Sequence, residues 1–278
     1  MKGETIRIVV AAHKAYPMPE DPMYLPVHVG AALTEEAGAA DSLGYRRDDT
    51  GENISELNGG FCELTGLYWA WKNLKEDYIG LVHYRRHFSF GKRKGRDVSD
   101  VLREAEIKPL LHSVGVFVPK KRWYGIETLY SHYAHTHYAG HLDMSREILK
   151  EHFPEYLSSF DYVCGQRGGY MFNMMILRRD YLDRYCTWLF GILFELKNRL
   201  EENGAVPDEL DAYQGRLYGR VSEILFNVWL EGEIRGGRIH TKHIMELPYF
   251  GTEKTNWVKK GTAFLRAKLL HEKYSGSF

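Results

Sequence analysis

The chain has 278 residues, of which 44% are hydrophobic and 27% charged, and its 37 basic residues balance 37 acidic ones. This composition is typical of a globular protein, and the zero formal charge argues against a nucleic-acid partner held by bulk electrostatics. The three scattered cysteines, Cys62, Cys164 and Cys186, are too few for a disulfide framework or a cysteine-rich zinc site, which indicates a reducing, cytoplasmic setting.

The first predicted element is a buried strand, Ile6–Ala12, which ends at His13 and Lys14. No long apolar stretch with a small-residue cleavage site precedes it, so a signal peptide is not expected. Four prolines within residues 15–26 predict a loop, and the polar residues 41–53, rich in Asp and Gly, predict another. No apolar run is long enough to predict a membrane-spanning helix.

An apolar stripe with spacings of four and three predicts a helix over residues 54–75. The stripe consists of Leu57, Phe61, Leu64, Tyr68 and Trp71. The apolar run 78–82 then predicts a buried strand, and a helix joined to a strand by a short link indicates α/β organisation with a mostly parallel sheet. The strand leads into the run 83–87, which holds two arginines and two histidines.

The second half of the chain continues the alternation of helices and strands. We predict strands over 114–119 and 170–177, and helices over 147–152, 180–200 and 215–230. The amphipathic stretch 257–273 carries five basic residues, and its apolar face either lies on an anionic membrane or packs against the domain. We expect one domain over residues 1–250, followed by a basic amphipathic helical tail over 251–278.

Basic and amide side chains follow several of these strands. Ligands of open α/β sheets bind outside the carboxyl ends of the strands, and the planar fork of arginine matches phosphate oxygens. Burying several cationic groups together is costly unless an anion or carboxylates balance them, and the sequence predicts a diphosphate site at Arg85 and Arg86, aided by His83. The other candidate donor-binding residues are His13, Lys14, Asp49, Asn53, Asn58 and Asn173. The alternatives are a solvated cluster beyond the strand, Asp and Asn residues that only form turns, and an Asn173 bonded to a neighbouring loop.

The segment 130–141 is rich in histidine. On a helix, His132 and His135 share one face and His137 and His141 share another, about 140° away. No cysteine lies nearby and no His-Glu-x-x-His pattern occurs, so a structural zinc site is not expected in this segment. We interpret His135 and His137 as candidates for catalysis or for contacts with an acceptor.

Several unusual blocks identify a family resemblance. They are Asn53-Ile54-Ser55, Cys62-Glu63-Leu64-Thr65-Gly66-Leu67-Tyr68-Trp69, Asp77-Tyr78-Ile79-Gly80-Leu81, His83-Tyr84-Arg85-Arg86, Pro154-Glu155-Tyr156, Asn173-Met174-Met175-Ile176 and Asn227-Val228-Trp229-Leu230. Over roughly residues 5–250 the chain resembles the bacterial family labelled domain of unknown function 4422. The chain departs from the family pattern at Glu223-Ile224-Leu225, where Glu-Arg-Leu is frequent, and in its histidine-rich segment 130–141.

Members of that family act in capsule, exopolysaccharide and lipopolysaccharide biosynthesis and are regarded as glycosyltransferases, some similar to galactofuranosyltransferases. The resemblance therefore implies a single GT-A-like α/β domain with a Rossmann-like, mostly parallel central sheet flanked by helices. The segment 170–177 is also similar to the Phe-Asn-x-Gly strand of glycogenin-like transferases, in which the Asn lies beside the donor sugar.

The resemblance also implies a reaction. A sugar moves from a nucleotide-diphosphate donor, such as a UDP-sugar with UDP-galactofuranose as one candidate, to a glycan or lipid-linked oligosaccharide acceptor. An inverting reaction needs a carboxylate base, for which Asp143, Asp161 and Glu223 are candidates. No Asp-x-Asp motif for Mn²⁺ or Mg²⁺ follows the 78–82 strand, so either Arg85 and Arg86 take the metal's place or a metal is held elsewhere.

The alternative functions are a nucleotide-sugar hydrolase or nucleotidyltransferase, and a non-catalytic glycan-binding module. We expect a cytoplasmic protein with peripheral contact to the inner face of the membrane through the C-terminal helix.

Overall fold

A mixed β-sheet contains strands from both halves of the chain. The computed structural model describes residues 3–34, 42–91, 97–202 and 215–252. These residues form two units. Unit 1 contains the described parts of Met1–Lys120, Tyr170–Cys186 and Ile239–Glu253, and unit 2 contains those of Lys121–Gly169 and Thr187–Arg238. The predicted domain over 1–250 stays a prediction, and nearly all of the predicted tail, from residue 253 onward, lies outside the described residues.

The strands of the described residues are β1 (Ile6–Ala12), β2 (Tyr24–His28), β3 (Arg46–Arg47), β4 (Tyr78–His83), β5 (Arg86–Phe88), β6 (Val116–Pro119), β7 (Arg122–Trp123), β8 (Gly168–Gly169), β9 (Met175–Arg178), β10 (Ile244–Leu247) and β11 (Tyr249–Gly251). The helices are α1 (Asn58–Phe61), α2 (Leu64–Asn73), α3 (Glu104–Ile107), α4 (Leu129–Thr136), α5 (Gly140–His152), α6 (Leu157–Cys164), α7 (Arg179–Glu202) and α8 (Leu217–Arg235). None of these helices is long and apolar enough to cross a bilayer.

The sheet of unit 1 has the strand order β10-β6-β9-β4-β1-β2-β3, and β5 and β11 extend it from β4. Strands β1, β2, β3 and β4 run parallel, whereas β9 is antiparallel to both β4 and β6. Six of the seven β1 residues are buried, as expected of a central strand covered on both faces. The expected parallel centre is therefore present, and the reversed strand β9 places the residues before it beside the carboxyl end of β4.

Three predicted elements differ from the structure. The proline-rich loop ends early, because β2 begins at Tyr24 and contains Pro26, which pairs with Val10 of β1. Proline is tolerated there because, among the residues that the structure describes, β3 pairs with β2 only from Val27 onward. The helix predicted over 54–75 is broken at Cys62, which has a φ of 52°, and the strand predicted over 170–177 begins only at Met175.

Unit 2 is mainly helical. Its helices α4 and α6 were not predicted, α5 begins seven residues before the predicted start at 147, and α8 extends five residues beyond the predicted end at 230. A buried polar contact joins the residues before α6 to α8, because the Tyr156 hydroxyl donates to Glu233 Oε1 at 2.6 Å. A Cβ at Gly232 would lie 2.4 Å from the Tyr156 ring, so glycine at this position allows the ring to pack on α8.

Candidate functional site

The carboxyl ends of β1 and β4 lie side by side in unit 1. Ala11 pairs with His83, and the Tyr84 amide donates to the Ala11 carbonyl at 3.2 Å. After His83 the chain turns through Tyr84 and Arg85 and returns as β5, since His83 pairs with Arg86 in antiparallel register. The turn therefore holds both arginines at the edge of the sheet where ligands of open α/β folds bind.

Aromatic rings support each arginine at this edge. The Arg85 guanidinium lies 4.9 Å from the centre of the Tyr84 ring, and that of Arg86 lies 4.4 Å from the Phe172 ring. Tyr84 itself stacks on Tyr16 with 3.8 Å between ring centres. Both arginines are half-buried, so the stacking fixes where their charges lie at little cost in desolvation.

His13 and Lys14 join the same group of side chains. The His13 ring meets the Tyr84 ring edge-on at 5.2 Å, and Lys14 Nζ lies 5.3 Å from the centre of the Tyr16 ring. The structure thus brings the two residues after β1 to the turn after β4. The sequence predicted this arrangement from the positions of the two strand ends. We call His13, Lys14, His83, Arg85 and Arg86 the cationic rim.

A buried polar contact lies beside the rim. Asn173 donates from Nδ2 to Glu63 Oε1 at 2.7 Å, and His83 donates from Nε2 to the Phe172 carbonyl at 2.7 Å. Burial lowers the pKa of His83, and Arg86 and Arg85 lower it further, outweighing the nearby Glu63 carboxylate. His83 is therefore a neutral hydrogen-bond donor at pH 7 that holds the turn before β9, rather than a further positive charge beside Lys14, Arg85 and Arg86.

The backbone is strained at this contact. Among the described residues, the non-glycine residues with positive φ are Cys62 (52°), Phe172 (73°) and Asn173 (51°). Cys62 precedes Glu63 in the chain, and Phe172 and Asn173 are the residues bonded to His83 and Glu63. Such conformations cost about 1–3 kcal/mol each and concentrate at functional sites, which supports a binding role for this corner of unit 1.

Glu63 is a site residue that the sequence prediction missed. Its side chain is 14% exposed, and its carboxylate lies 3.6 Å from His83 Nε2. A signal was present, because Glu63 is an acidic residue within one of the unusual sequence blocks. An acid that becomes largely buried needs a hydrogen-bonding partner.

Three predicted donor-binding residues make contacts that shape the loop before α2. Asp49 accepts a hydrogen bond from Arg47 at 2.7 Å, and Asn53 donates to the Gly51 carbonyl at 2.9 Å as part of a turn. Asn58 donates to the Cys62 carbonyl at 2.8 Å and so supports the break between α1 and α2. Contact of these residues with a nucleotide stays a prediction.

His87 does not lie with the other basic residues of the run 83–87. Its side chain is fully buried in the core of unit 1, near Tyr24 and Phe250. Burial lowers its pKa to about 4, so the ring is neutral at pH 7. The reason is the reversal at Tyr84 and Arg85, after which β5 runs between β4 and β11 and both His87 and Phe88 are fully buried.

The three candidate bases lie in unit 2. Asp143 accepts a hydrogen bond from the Tyr130 hydroxyl at 2.9 Å, and Glu223 is half-buried on α8. Asp161 is bridged by Arg146 through bonds of 2.7 and 2.9 Å, which lower its pKa. A carboxylate with a lowered pKa is a weaker proton acceptor, so Asp161 is the least suited of the three.

The two candidate acceptor-binding histidines are also in unit 2. His137 Nδ1 lies 3.1 Å from Arg220 Nη1. His135 Nδ1 lies 2.8 Å from Glu127, a buried acid that the sequence prediction missed. Among the residues that the structure describes, no group of three or more His, Cys, Asp or Glu side chains is placed to hold a metal ion.

Known proteins provide two comparisons. The family described as a domain of unknown function (DUF4422) matches residues 7–234. The chain is similar to the apo structure of WbbM, a bifunctional glycosyltransferase, with a TM-score of 0.78 and 28% sequence identity over 90% of this chain. The chain spans 46% of the WbbM chain, about half its length. No curated protein matches the chain. The likeness confirms the expected GT-A-like α/β fold, a mixed sheet with mostly parallel central strands flanked by helices.

Proposed function

Because the chain belongs to the DUF4422 family, we propose that it is a glycosyltransferase that takes a sugar from a nucleotide-diphosphate donor. The likeness to a bifunctional glycosyltransferase supports this reaction class. The observation that carries the proposal is the pair of ring-stacked arginines, Arg85 and Arg86, at the carboxyl edge of the parallel strands. Two fixed guanidinium groups at that edge match the charge and shape of a diphosphate.

The arginines act on the leaving group. When the bond between the sugar and the diphosphate breaks, negative charge grows on the departing phosphate oxygen. Arg85 and Arg86 donate hydrogen bonds to that oxygen, and they are effective because Tyr84 and Phe172 hold them in place before the reaction. Lys14 supplies further positive charge at the same edge, His13 helps to hold the nucleotide there, and Asp49, Asn53 and Asn58 contact the nucleoside.

The Glu63–Asn173 pair recognises the donor sugar. Asn173 donates to Glu63, and amide and carboxylate groups are hydrogen-bonding groups suited to sugar hydroxyls. The strained backbone at Phe172 and Asn173 fixes the direction of these groups. We infer a UDP-sugar donor, with UDP-galactofuranose as the first candidate, from the family resemblance.

The acceptor supplies a hydroxyl, whose proton a base removes if the reaction inverts the anomeric centre. Asp143 and Glu223 are the carboxylate candidates for that base, and Asp161 is a weaker one because of its bridge to Arg146. We propose a glycan or lipid-linked oligosaccharide acceptor in capsule, exopolysaccharide or lipopolysaccharide biosynthesis. The basic stretch 257–273 would bring the protein to the inner face of the membrane.

A thermal-shift screen of nucleotide sugars, with and without Mn²⁺, tests donor binding. A ligand that binds the folded state raises the melting temperature by mass action, so the screen identifies the donor and its metal dependence together. We expect UDP-sugars to raise the melting temperature of the wild type and to have a much smaller effect on Arg85→Ala. No shift with any nucleotide sugar would contradict the proposal and would favour a glycan-binding module.

Incubation of the donor with and without an acceptor separates transfer from hydrolysis. Octyl α- and β-galactopyranosides serve as acceptors, and the release of UDP is followed. A transferase releases UDP mainly when acceptor is present, and Arg85→Ala abolishes that release. Equal release without acceptor would identify a hydrolase instead.

A further inference from the structure

A tyrosine hydroxyl in unit 1 holds the backbone of a residue beside the cationic rim. Tyr45 Oη accepts a hydrogen bond from the Tyr16 amide at 3.1 Å and donates one to the Tyr16 carbonyl, also at 3.1 Å. A phenolic hydroxyl makes both bonds at once, because it carries one hydrogen and accepting lone pairs. One side chain, 29 residues away in the chain, therefore satisfies both backbone groups of Tyr16.

The register of the sheet explains how Tyr45 reaches this position. Tyr45 directly precedes β3, whose Arg46 pairs with Val27 of β2, and Val27 pairs in turn with Ala11 near the carboxyl end of β1. Neighbouring strands are about 4.8 Å apart, which puts β3 about 10 Å from β1. The long side chain of Tyr45 and the loop that follows β1 together close that distance.

The local sequence prepares Tyr16 to be held in this way. Pro17 follows it, and the residue before a proline is restricted to extended backbone because the proline ring excludes the helical region. Tyr16 therefore has few backbone conformations before the Tyr45 bonds form, so the bonds fix it at a small cost in conformational entropy. The loop thus presents the Tyr16 ring in one direction.

The Tyr16 ring supports the ring that carries Arg85. It stacks on Tyr84 with 3.8 Å between ring centres and 21° between ring planes. The Tyr84 backbone is held separately, because its amide donates to the Ala11 carbonyl of β1 at 3.2 Å. Contact with Tyr16 limits the other rotamers of the Tyr84 ring, and the Arg85 guanidinium lies 4.9 Å from the centre of that ring.

We propose that Tyr45 is a positioning residue for the arginine that acts on the leaving group. Its hydroxyl fixes Tyr16, the Tyr16 ring fixes Tyr84, and Tyr84 holds the Arg85 guanidinium where the departing diphosphate needs a donor. A donor that is in place before the reaction stabilises the transition state more than one that must be ordered during it. The inference rests on the proposed glycosyltransferase function and concerns residues of unit 1 alone.

Removal of the hydroxyl tests the role by kinetics. Tyr45→Phe keeps the ring, and we expect kcat/KM for the donor that the thermal-shift screen identifies to fall about tenfold. This fall is smaller than the 10²–10³-fold expected when a donor to the oxyanion is removed altogether. A folded Tyr45→Phe with the wild-type kcat/KM would overturn the inference.

Tyr24→Phe is the matched control for the lost hydroxyl. The Tyr24 hydroxyl also donates to a backbone carbonyl, that of Leu102 at 2.8 Å, but it does so in the core of unit 1. Tyr24→Phe should lower the melting temperature at least as much as Tyr45→Phe does, because the bond that it removes is buried. Its kcat/KM should equal that of the wild type, which separates positioning from stability.

A double-mutant cycle with Arg85→Lys shows whether Tyr45 acts through the arginine. Lysine keeps the charge but loses the planar group that lies over the Tyr84 ring. Tyr45→Phe should therefore change kcat/KM by less than about twofold in the Arg85→Lys background. A purely structural role would give the same tenfold fall in both backgrounds, and that result would also overturn the inference.

Proton–nitrogen NMR spectra of the full-length protein report the position of Arg85 without relying on activity. The Arg85 Nε–H signal, identified by its loss in Arg85→Lys, should be displaced by the ring current of Tyr84. In Tyr45→Phe the signal should move toward that of an arginine in an unstructured peptide, whereas in Tyr24→Phe it should stay in place. An unmoved signal in Tyr45→Phe would show that the hydroxyl does not position the guanidinium.

The outcomes separate this inference from the proposed function. If Arg85→Ala abolishes transfer while Tyr45→Phe keeps the wild-type kcat/KM, the positioning role is wrong and the transferase function stands. If the wild type neither binds nor turns over any nucleotide sugar, the proposed function fails, and the role of Tyr45 in turnover fails with it.

Discussion

Replacing Arg86 by alanine tests the cationic rim most directly. The substitution removes a guanidinium that lies 4.4 Å from the centre of the Phe172 ring and leaves the backbone pairing of β5 with β4 and β11 in place. Loss of a half-exposed cation–π contact costs about 0.5–1 kcal/mol. For a chain of this size, that lowers the melting temperature by about 2–4 °C at most.

The effect on turnover should be much larger. A preorganised donor to a developing oxyanion is worth about 3–4 kcal/mol, which corresponds to a 10²–10³-fold fall in kcat. A folded protein with about 5–15 kcal/mol of stability remains almost entirely folded after a loss of 1 kcal/mol, so unfolding cannot account for such a fall. Arg86→Lys keeps the charge but loses the planar fork, and we expect an intermediate fall of about tenfold.

The assay measures UDP release in the presence of acceptor together with the melting temperature of each variant. Arg7→Ala is the control, because Arg7 is a half-exposed arginine of the same unit, bonded to Glu76 at 3.1 Å. It lies on β1 six residues before His13, about 20 Å along an extended strand. Wild-type turnover in Arg86→Ala would show that this guanidinium does not act on the leaving group.

Three further predictions address neighbouring features. Because burial lowers the pKa of His87 to about 4 while the unfolded chain keeps about 6.5, the unfolded state takes up the proton first as pH falls, and stability is lost between those values. His87→Phe should therefore lose about 2 kcal/mol less unfolding free energy than the wild type between pH 7 and 5 in urea titrations; equal losses would show that His87 is not the group responsible. Gly80→Ala should destabilise by about 1–3 kcal/mol, since the added Cβ would lie 2.8 Å from Ile176 Cγ1, and an unchanged denaturation midpoint would contradict the packing described for β4 and β9. Glu63→Gln keeps an oxygen for Asn173 but removes the charge, so KM for the donor should rise about tenfold with little change in melting temperature, and an unaltered KM would remove Glu63 from the donor site.

Elements with a strong local signal were predictable from the sequence. Strand β1 was predicted with its observed bounds because its apolar run is continuous. Strand β4 was predicted as well, except for its last residue, His83. The break in the helix at Cys62 was not predictable, because the apolar stripe runs through it without interruption. The break depends on contacts from elsewhere, including the bond between Asn173 and Glu63, which are 110 residues apart in the chain.

The same distinction applies to the candidate sites. The sequence predicted that Arg85 and Arg86 lie near the residues after β1. That prediction used the ends of two apolar runs, which are local signals, and the rule that ligands of open α/β sheets bind outside the carboxyl ends of the strands. Glu63 was not predicted as a site residue because its partner, Asn173, is 110 residues away in the chain. Glu127 was missed as well, because it precedes helix α4 and helical spacing does not relate it to His132 and His135.

The order in which the strands leave the ribosome has a consequence for the cell. Strand β6 ends at Pro119, but its outer neighbour β10 begins at Ile244, roughly 125 residues later. At about 5–20 residues per second, translation leaves that edge without its partner for roughly 6–25 seconds. An unpaired apolar edge strand is prone to aggregate, so a nascent chain of this protein should depend on chaperones. Premature termination before residue 244 should yield insoluble product.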